Sequence, residues 1–183
     1  LLALLPGRRQ QEINNHWGIY IKTVALLKKA YPNLQVIIAK SDNVTFPKTD
    51  KSFKIEKNAK KAIIASDIAI VASGTATLEC AIEGTPLVVC YKVSALTWLL
   101  AKLLVKVEHS SIVNLIAGKK IVPEFLQSEM QPKTIKNKLI ELMDEKSKLR
   151  NQMMEDFLTI KDNLGTPGVY AKIANEILKA TKT

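Results

Sequence analysis

Pro6-Gly7-Arg8-Arg9 places a glycine, through which a backbone can approach a ligand closely, directly before two guanidinium groups. Each guanidinium presents a planar fork of donors that matches a phosphate. A second stretch, Ser73-Gly74-Thr75-Ala76-Thr77-Leu78-Glu79, is a small, hydroxyl-rich turn between an apolar run and a helical one. The first backbone N–H groups of a helix have no partner within it, and the helix dipole is positive there, so such a turn suits a diphosphate. Glu79 falls one helical turn beyond Thr75, within reach of a ribose diol of the kind acidic residues bind in other nucleotide folds. Each stretch also has a plainer reading. The first is equally a tight turn with solvated charges, and in the second Ser73 or Thr75 serves as an N-cap with Glu79 a surface charge. No GxxxxGK[ST] and no GxGxxG occurs, which removes the usual support for a kinase, an ATPase or a dinucleotide dehydrogenase.

The elements that would position these stretches alternate between apolar runs and helical periodicity. Leu1-Leu2-Ala3-Leu4-Leu5 reads as a buried strand stopped by Pro6-Gly7. Across residues 11–31, Ile13, Trp17, Tyr20, Ile21, Val24 and Leu27 recur at helical steps and make one core-facing stripe. A strand over residues 34–39 follows, then a lysine-rich stretch, residues 41–61, expected to be loops with one short strand near Phe53. A short helix through Ala62-Ile63-Ile64, a strand over 68–71, a helix over 76–83 capped by Gly84 and a strand over 87–91 complete the alternation. Strands apolar on both faces and separated by helices predict an α/β fold with a doubly wound parallel sheet, covered on both sides. Residues 1–130 form the sheet region and residues 131–183 a helical tail, broken near Gly165. Ligands of such sheets sit outside the carboxyl ends of the strands, here the loops after Leu5, Ala39, Val71 and Tyr91.

A chain of 183 residues suits one domain, large enough to bury a core without disulfide or metal support. Mean hydropathy is near zero, which argues against both disorder and a membrane bundle. The formal charge of +10 invites a nucleic-acid reading, but Arg8, Arg9 and Arg150 are the only arginines and aromatic residues make up 5%. Base readout favours arginine and single-strand binding favours exposed aromatics, so scattered lysines point to a general attraction for anions, sugar nucleotides and phospholipid headgroups among them. Cys80 and Cys90 lack metal or disulfide spacing and read as buried thiols. His16 and His109 have no acidic or cysteine partner at ligand spacing and read as structural. No run reaches the ~18 apolar residues of a spanning helix and the opening apolar run is too short for a signal peptide, so the cytoplasm is expected.

The strings LLPGRRQQEI, SDIAIVASGTATLECAIEGTPLVVCYKVSALTWLLAKLLVKV and NLIAGKKIVPEFLQ resemble, in order and spacing, segments of the bacterial lipid-A-disaccharide synthase family. The Ser-Gly-Thr and Glu arrangement is shared by a wider superfamily of nucleotide-sugar transferases; the string over residues 114–127 narrows the resemblance. It implies a Rossmann-like domain, the C-terminal UDP-sugar-binding half of a two-domain GT-B glycosyltransferase, independent of metal and of any cofactor. Gly7, Arg8, Arg9, Ser73, Gly74, Thr75 and Ala76 would then hold the sugar-nucleotide phosphates and Glu79 the ribose. Arg8 stands where the family usually has Ser, which puts one hydroxyl contact in doubt. Glu124 and Gln127 would lie near the donor, and Arg9 and Asn114 would be catalytic. On the residues alone, Asn114 equally caps a helix and Glu124 equally begins one after Pro123.

The reaction implied is transfer of diacylglucosamine from UDP to a diacylglucosamine 1-phosphate acceptor with inversion, the base being an aspartate of an N-terminal half. This chain alone is then expected to bind nucleotide without turnover. The expected partners are donor, acceptor, the missing N-terminal half, the inner-membrane surface and a second copy in a homodimer, with no nucleic acid. Membrane contact is expected from residues 94–106, where leucines make a broad apolar face beside Trp98, Lys102 and Lys106; the same stripe also suits a core helix. Two other readings are another UDP-sugar transferase or epimerase of the superfamily, which would lack the 114–127 string, and a non-catalytic nucleotide-sugar-binding module.

Overall fold

Four-residue runs without a polar side chain, LALL, VIIA and IAIV, have no face to offer water and form the centre of a sheet. The computed structural model describes residues 1–47, 49–94, 109–165, 173–174 and 177–179. Its strands are β1 (Leu2–Leu5), β2 (Val36–Ala39), β3 (Lys54–Glu56), β4 (Ile68–Val71), β5 (Leu87–Tyr91) and β6 (Glu124–Leu126). The helices are α1 (Gln10–Ala30), α2 (Ala59–Ile64), α3 (Thr75–Glu83), α4 (Ile112–Ala117), α5 (Pro132–Met143) and α6 (Lys148–Asn163). The strands make one six-stranded sheet in the order β3-β2-β1-β4-β5-β6, every neighbouring pair parallel. This is the doubly wound order of a Rossmann-type sheet, in which the chain runs outward from the centre in both directions.

Successive strand residues point to opposite faces, and all of β1, β2 and β4 is buried, so both faces are covered. α1 packs on α5, while α3 packs on α2, α4 and α6; α5 and α6 also touch each other. The α1 stripe includes Ile13, Trp17, Tyr20, Val24 and Leu27 as expected. His16 and Thr23 are buried with it and Ile21 is only half-buried. Polar atoms are tolerated there because they are satisfied: the Thr23 hydroxyl donates to the Ile19 carbonyl at 2.9 Å. Cys80 and Cys90 are buried free thiols whose pKa values burial pushes up.

The end of the sheet departs from the expected pattern. Glu124 begins strand β6, pairing with Val89, rather than a helix. The preceding Pro123 has no N–H to give, but its carbonyl accepts from Val89 at 2.8 Å, which suits the first residue before an edge strand. α4 is capped by Ser111, whose side chain accepts from the Asn114 N–H, so Asn114 lies inside the helix it was expected to cap. Among the described residues no helix is long and apolar enough to cross a membrane.

Candidate functional site

The carboxyl ends of β1, β2, β4 and β5 open into one cleft of about 760 Å³. It lies where the chain direction divides: from β1 the connection leads to β2, from β4 to β5, and the loops between them part. Gly7, Arg8, Arg9 and Glu12 line it on the β1 side, residues 40–43 and Lys57 beyond β2 and β3, residues 72–76 above β4, and Tyr91 at the end of β5.

The two helices that start at this cleft differ at their N-termini. Gly7 has φ +118°, and a Cβ there would run into the Glu12 carboxylate. That carboxylate accepts from the Arg8 N–H at 2.8 Å and the Arg9 N–H at 3.1 Å, so α1 closes its own positive end. The Arg8 and Arg9 N–H groups are thereby spent, and the Arg8 and Arg9 side chains stand exposed with no ion pair among the described residues. At α3 the N-cap is Gly74, with φ +138°; it has no side-chain cap, and no acidic residue lies in the first turn. The Thr77 hydroxyl is turned inward to the Gly74 carbonyl at 2.8 Å. The open helix end and two uncommitted guanidinium groups therefore line the same cleft, a combination suited to a doubly charged anion.

The wall beyond β2 is held against α1. The Gln10 amide donates to the Thr45 carbonyl at 3.0 Å and accepts from the Thr45 N–H at 2.9 Å, while the Trp17 and Phe46 rings pack at 4.5 Å. On the rim Lys57 pairs with Asp42 at 2.8 Å, which lowers the Asp42 pKa. Tyr91 is half-buried; burial and then Glu12 push its pKa up, against the opposing effect of Arg9. Both acids of the cleft, Glu12 and Asp42, are thus engaged, and the remaining electrostatics are cationic.

A sequence profile of the family described as LpxB, lipid-A-disaccharide synthetase, matches residues 1–169. The chain belongs to this family. Among its relatives, the lipid-A-disaccharide synthase of Syntrophus aciditrophicus is 32% identical over 187 residues, spanning 94% of this chain and 47% of the relative. That of Salmonella paratyphi A is 38% identical over 78% of this chain and 40% of the relative. The Rickettsia prowazekii enzyme is 34% identical over 85% of this chain and 43% of its own length. The chain thus spans less than half the length of these relatives. Among solved structures, the spinosyn forosaminyltransferase SpnP aligns with a TM-score of 0.47 at 13% identity, over 85% of this chain and 38% of that one.

Of the residues expected from the sequence, Gly7, Arg8, Arg9, Ser73, Gly74, Thr75 and Ala76 are brought together on the cleft. Glu79 is half-buried one turn into α3 and does not line it. Asn114 and Glu124 are placed differently from the expectation that they meet the donor. Asn114 is fully buried: its Nδ2 donates to the Val122 carbonyl and Glu124, and its Oδ1 accepts from the N–H groups of Ile121 and Val122. Both donors and both acceptors are spent, so the group expected to be catalytic has nothing left to offer a substrate. Gln127, at φ +50°, lies outside the cleft. Its amide, set by its partners, accepts from the Val93 N–H at 3.1 Å and donates to the Val93 carbonyl at 3.2 Å. Trp98, Lys102 and Lys106 lie outside the described residues.

Sequence reasoning missed the contributions of Lys40, Asp42, Asn43, Lys57 and Glu12; the position of the first three after β2, and of Lys57 after β3, was the available signal. It read His16 as structural without its partners. The ring is buried, with Nδ1 donating to the Pro6 carbonyl at 2.9 Å and Nε2 accepting from the Lys92 N–H at 3.0 Å. Asn15 adds a hydrogen bond to the Lys92 carbonyl at 3.1 Å. The chain leaving β5 is therefore gripped by α1 on one side and by Gln127 on the other.

Proposed function

We propose that this chain is the donor-binding half of a lipid-A-disaccharide synthase, a hexosyltransferase, and that its cleft holds UDP-2,3-diacylglucosamine. The supporting observation is that the uncapped, acid-free N-terminus of α3 lines the same cleft as the unpaired Arg8 and Arg9. The acceptor, 2,3-diacylglucosamine 1-phosphate, attacks the anomeric carbon with its 6-hydroxyl; the bond from that carbon to the diphosphate breaks, and a β-1,6-linked disaccharide 1-phosphate and UDP leave. Negative charge grows on the departing diphosphate, and donors fixed beforehand at that place lower the barrier. Thr75 and Ala76 offer backbone N–H groups, and Arg8 and Arg9 offer guanidinium forks. Glu79 is assigned to the ribose. The hydroxyl proton passes to a base, an aspartate supplied by an N-terminal half, so this chain binds nucleotide and does not turn over. The same reading carries a cytoplasmic location on the inner face of the membrane, with Trp98, Lys102 and Lys106 as the contact, and a homodimer.

Calorimetric titration without magnesium tests it. UDP binds in preference to ADP or GDP. No UDP binding, or binding only with magnesium, removes the reading.

A further inference from the structure

Glu124, 8% exposed, does not line the cleft. One carboxylate oxygen accepts from the Ser110 N–H at 3.0 Å and the Ser110 hydroxyl at 2.8 Å. The other accepts from the Ser111 N–H at 2.9 Å, the Ser111 hydroxyl at 2.6 Å and Asn114 Nδ2 at 2.8 Å. A carboxylate has about four acceptor sites, so its capacity is exhausted. Burial alone would raise its pKa, but the hydrogen bonds from Ser111 and Ser110 outweigh burial and the net shift is downward, which keeps the group ionised. Glu124 is itself fixed in β6 by its register with Val89.

The residue so held, Ser110, turns its carbonyl to the donor turn and accepts from the Ser73 hydroxyl at 2.6 Å. A hydroxyl has one proton, so Ser73 has none left to donate to a phosphate. It instead ties down the residue preceding Gly74, whose φ of +138° directs the start of α3 into the cleft. No side chain packs against Gly74 itself, where a Cβ would meet nothing within 4 Å. A hydrogen-bonded relay thus runs from β6 to the backbone donors of the cleft.

We infer that Glu124 is a positioning residue of the anion-binding turn, acting through Ser110 and Ser73 and touching no ligand. The inference rests on the proposed binding of UDP and adds the means by which the turn is kept in its binding shape. A turn that must be reordered by its ligand binds more weakly by the ordering cost. Glu124→Gln keeps the shape of the side chain but replaces an acceptor with a donor, which must then face an N–H or hydroxyl of Ser110 or Ser111.

The experiment is a double-mutant cycle on UDP affinity, with thermal unfolding of each variant. Glu124→Gln and Ser73→Ala each weaken UDP binding by about ten-fold, equivalent to about 1.4 kcal/mol. Combined, they weaken it no more than the worse single change, because both break one relay. A Glu124→Gln chain that binds as the parent does, or losses that add, overturns the inference. Ser111→Ala is run in parallel, since it removes one hydroxyl bond to Glu124, together with the cap of α4, and leaves the carboxylate; should Glu124→Gln fail to unfold cooperatively, coupling or additivity of Ser111→Ala with Ser73→Ala decides in its place. Amide exchange of the ligand-free chain reads the relay without UDP. Glu124→Gln or Ser111→Ala raises exchange at Thr77, whose N–H donates to the Gly74 carbonyl at 3.1 Å and so closes the first turn of α3, while β4 stays protected; unchanged exchange at Thr77 overturns the inference even if the parent proves not to bind UDP, a result that separately removes the functional reading.

Discussion

Arg8 and Arg9 are adjacent in sequence yet free of each other's acids, because Glu12 spends its carboxylate on their backbone rather than on their side chains. An unpaired guanidinium on a cationic cleft is poised for an anion. Arg9→Ala therefore weakens UDP binding by about 1.5–3 kcal/mol, the worth of a hydrogen bond to a charged group; calorimetry showing a loss of only a few tenths identifies Arg9 as merely solvated. Gly7 is the residue this arrangement cannot change. At φ +118° and against Glu12, an alanine there is strained by about 1–3 kcal/mol and displaces the carboxylate that closes α1. Urea unfolding of Gly7→Ala shows that loss, and a midpoint equal to the parent's means that the turn adapts. At this scale the sequence was readable for which residues meet on the cleft, at strand ends that carry glycine and arginine. It was not readable for Asn114 and Glu124. A polar residue beside a motif is equally suited to spend its atoms inward, and only the partners, Val122 and Ile121 for one and Ser110 and Ser111 for the other, reveal that it does.

Two helix ends at one cleft, one closed and one open, show how elements divide the work. α1 carries an acid in its first turn and follows directly on the two arginines; α3 has no acid in its first turn and presents N–H groups. The central strands and α1 were legible because period and composition agree over whole elements. β6 and α4 are short, three and six residues, and their form is set by pairing with β5 and by the Ser111 cap, neither of which leaves a periodic mark. α1 also joins the loops after β1 and β5 through His16, which must donate from Nδ1 and accept at Nε2 and is therefore neutral. Burial, the largest influence, lowers its pKa below 6.5 despite the opposing hydrogen bonds to Pro6 and Lys92. The unfolded chain then binds the proton first as pH falls, so stability is full above 6.5 and declines as pH drops from 6.5 toward the folded-state pKa. Glu124, with its pKa lowered from 4.5, loses its contribution in a separate, more acidic window. Urea unfolding between about pH 7.5 and 5 reads the His16 slope, because an ordinary histidine titrates near 6.5. In His16→Gln that slope flattens; an unchanged slope assigns the dependence to other groups.

Across the whole molecule the charge is +10, and the described cleft accounts for only part of it. The proposed donor and acceptor, each with two acyl chains, resist leaving a bilayer, at about 0.8 kcal/mol per buried methylene. An enzyme acting on both gains by working at the membrane surface. The segment that begins past the gripped residues Lys92 and Val93 contains Trp98, Lys102 and Lys106 among leucines, a composition suited to headgroup depth. General charge attraction would also draw the chain to anionic lipid, so the test must separate the two. Vesicles containing anionic phospholipid are sedimented with the parent, with Trp98→Ser, with Lys102→Glu/Lys106→Glu, and with Lys146→Glu/Lys148→Glu, a pair exposed around the start of α6 that removes the same charge. Charge attraction alone is screened over about 10 Å at 0.1 M salt and depends on net charge, so it would release both glutamate pairs equally and leave Trp98→Ser bound. Docking through this segment predicts another pattern. The parent and the Lys146/Lys148 variant sediment at low salt, while Trp98→Ser and the Lys102/Lys106 variant stay in solution although folded. A parent that remains in the supernatant, or two glutamate pairs released alike, removes the membrane contact from the proposed function and leaves the cleft chemistry untouched.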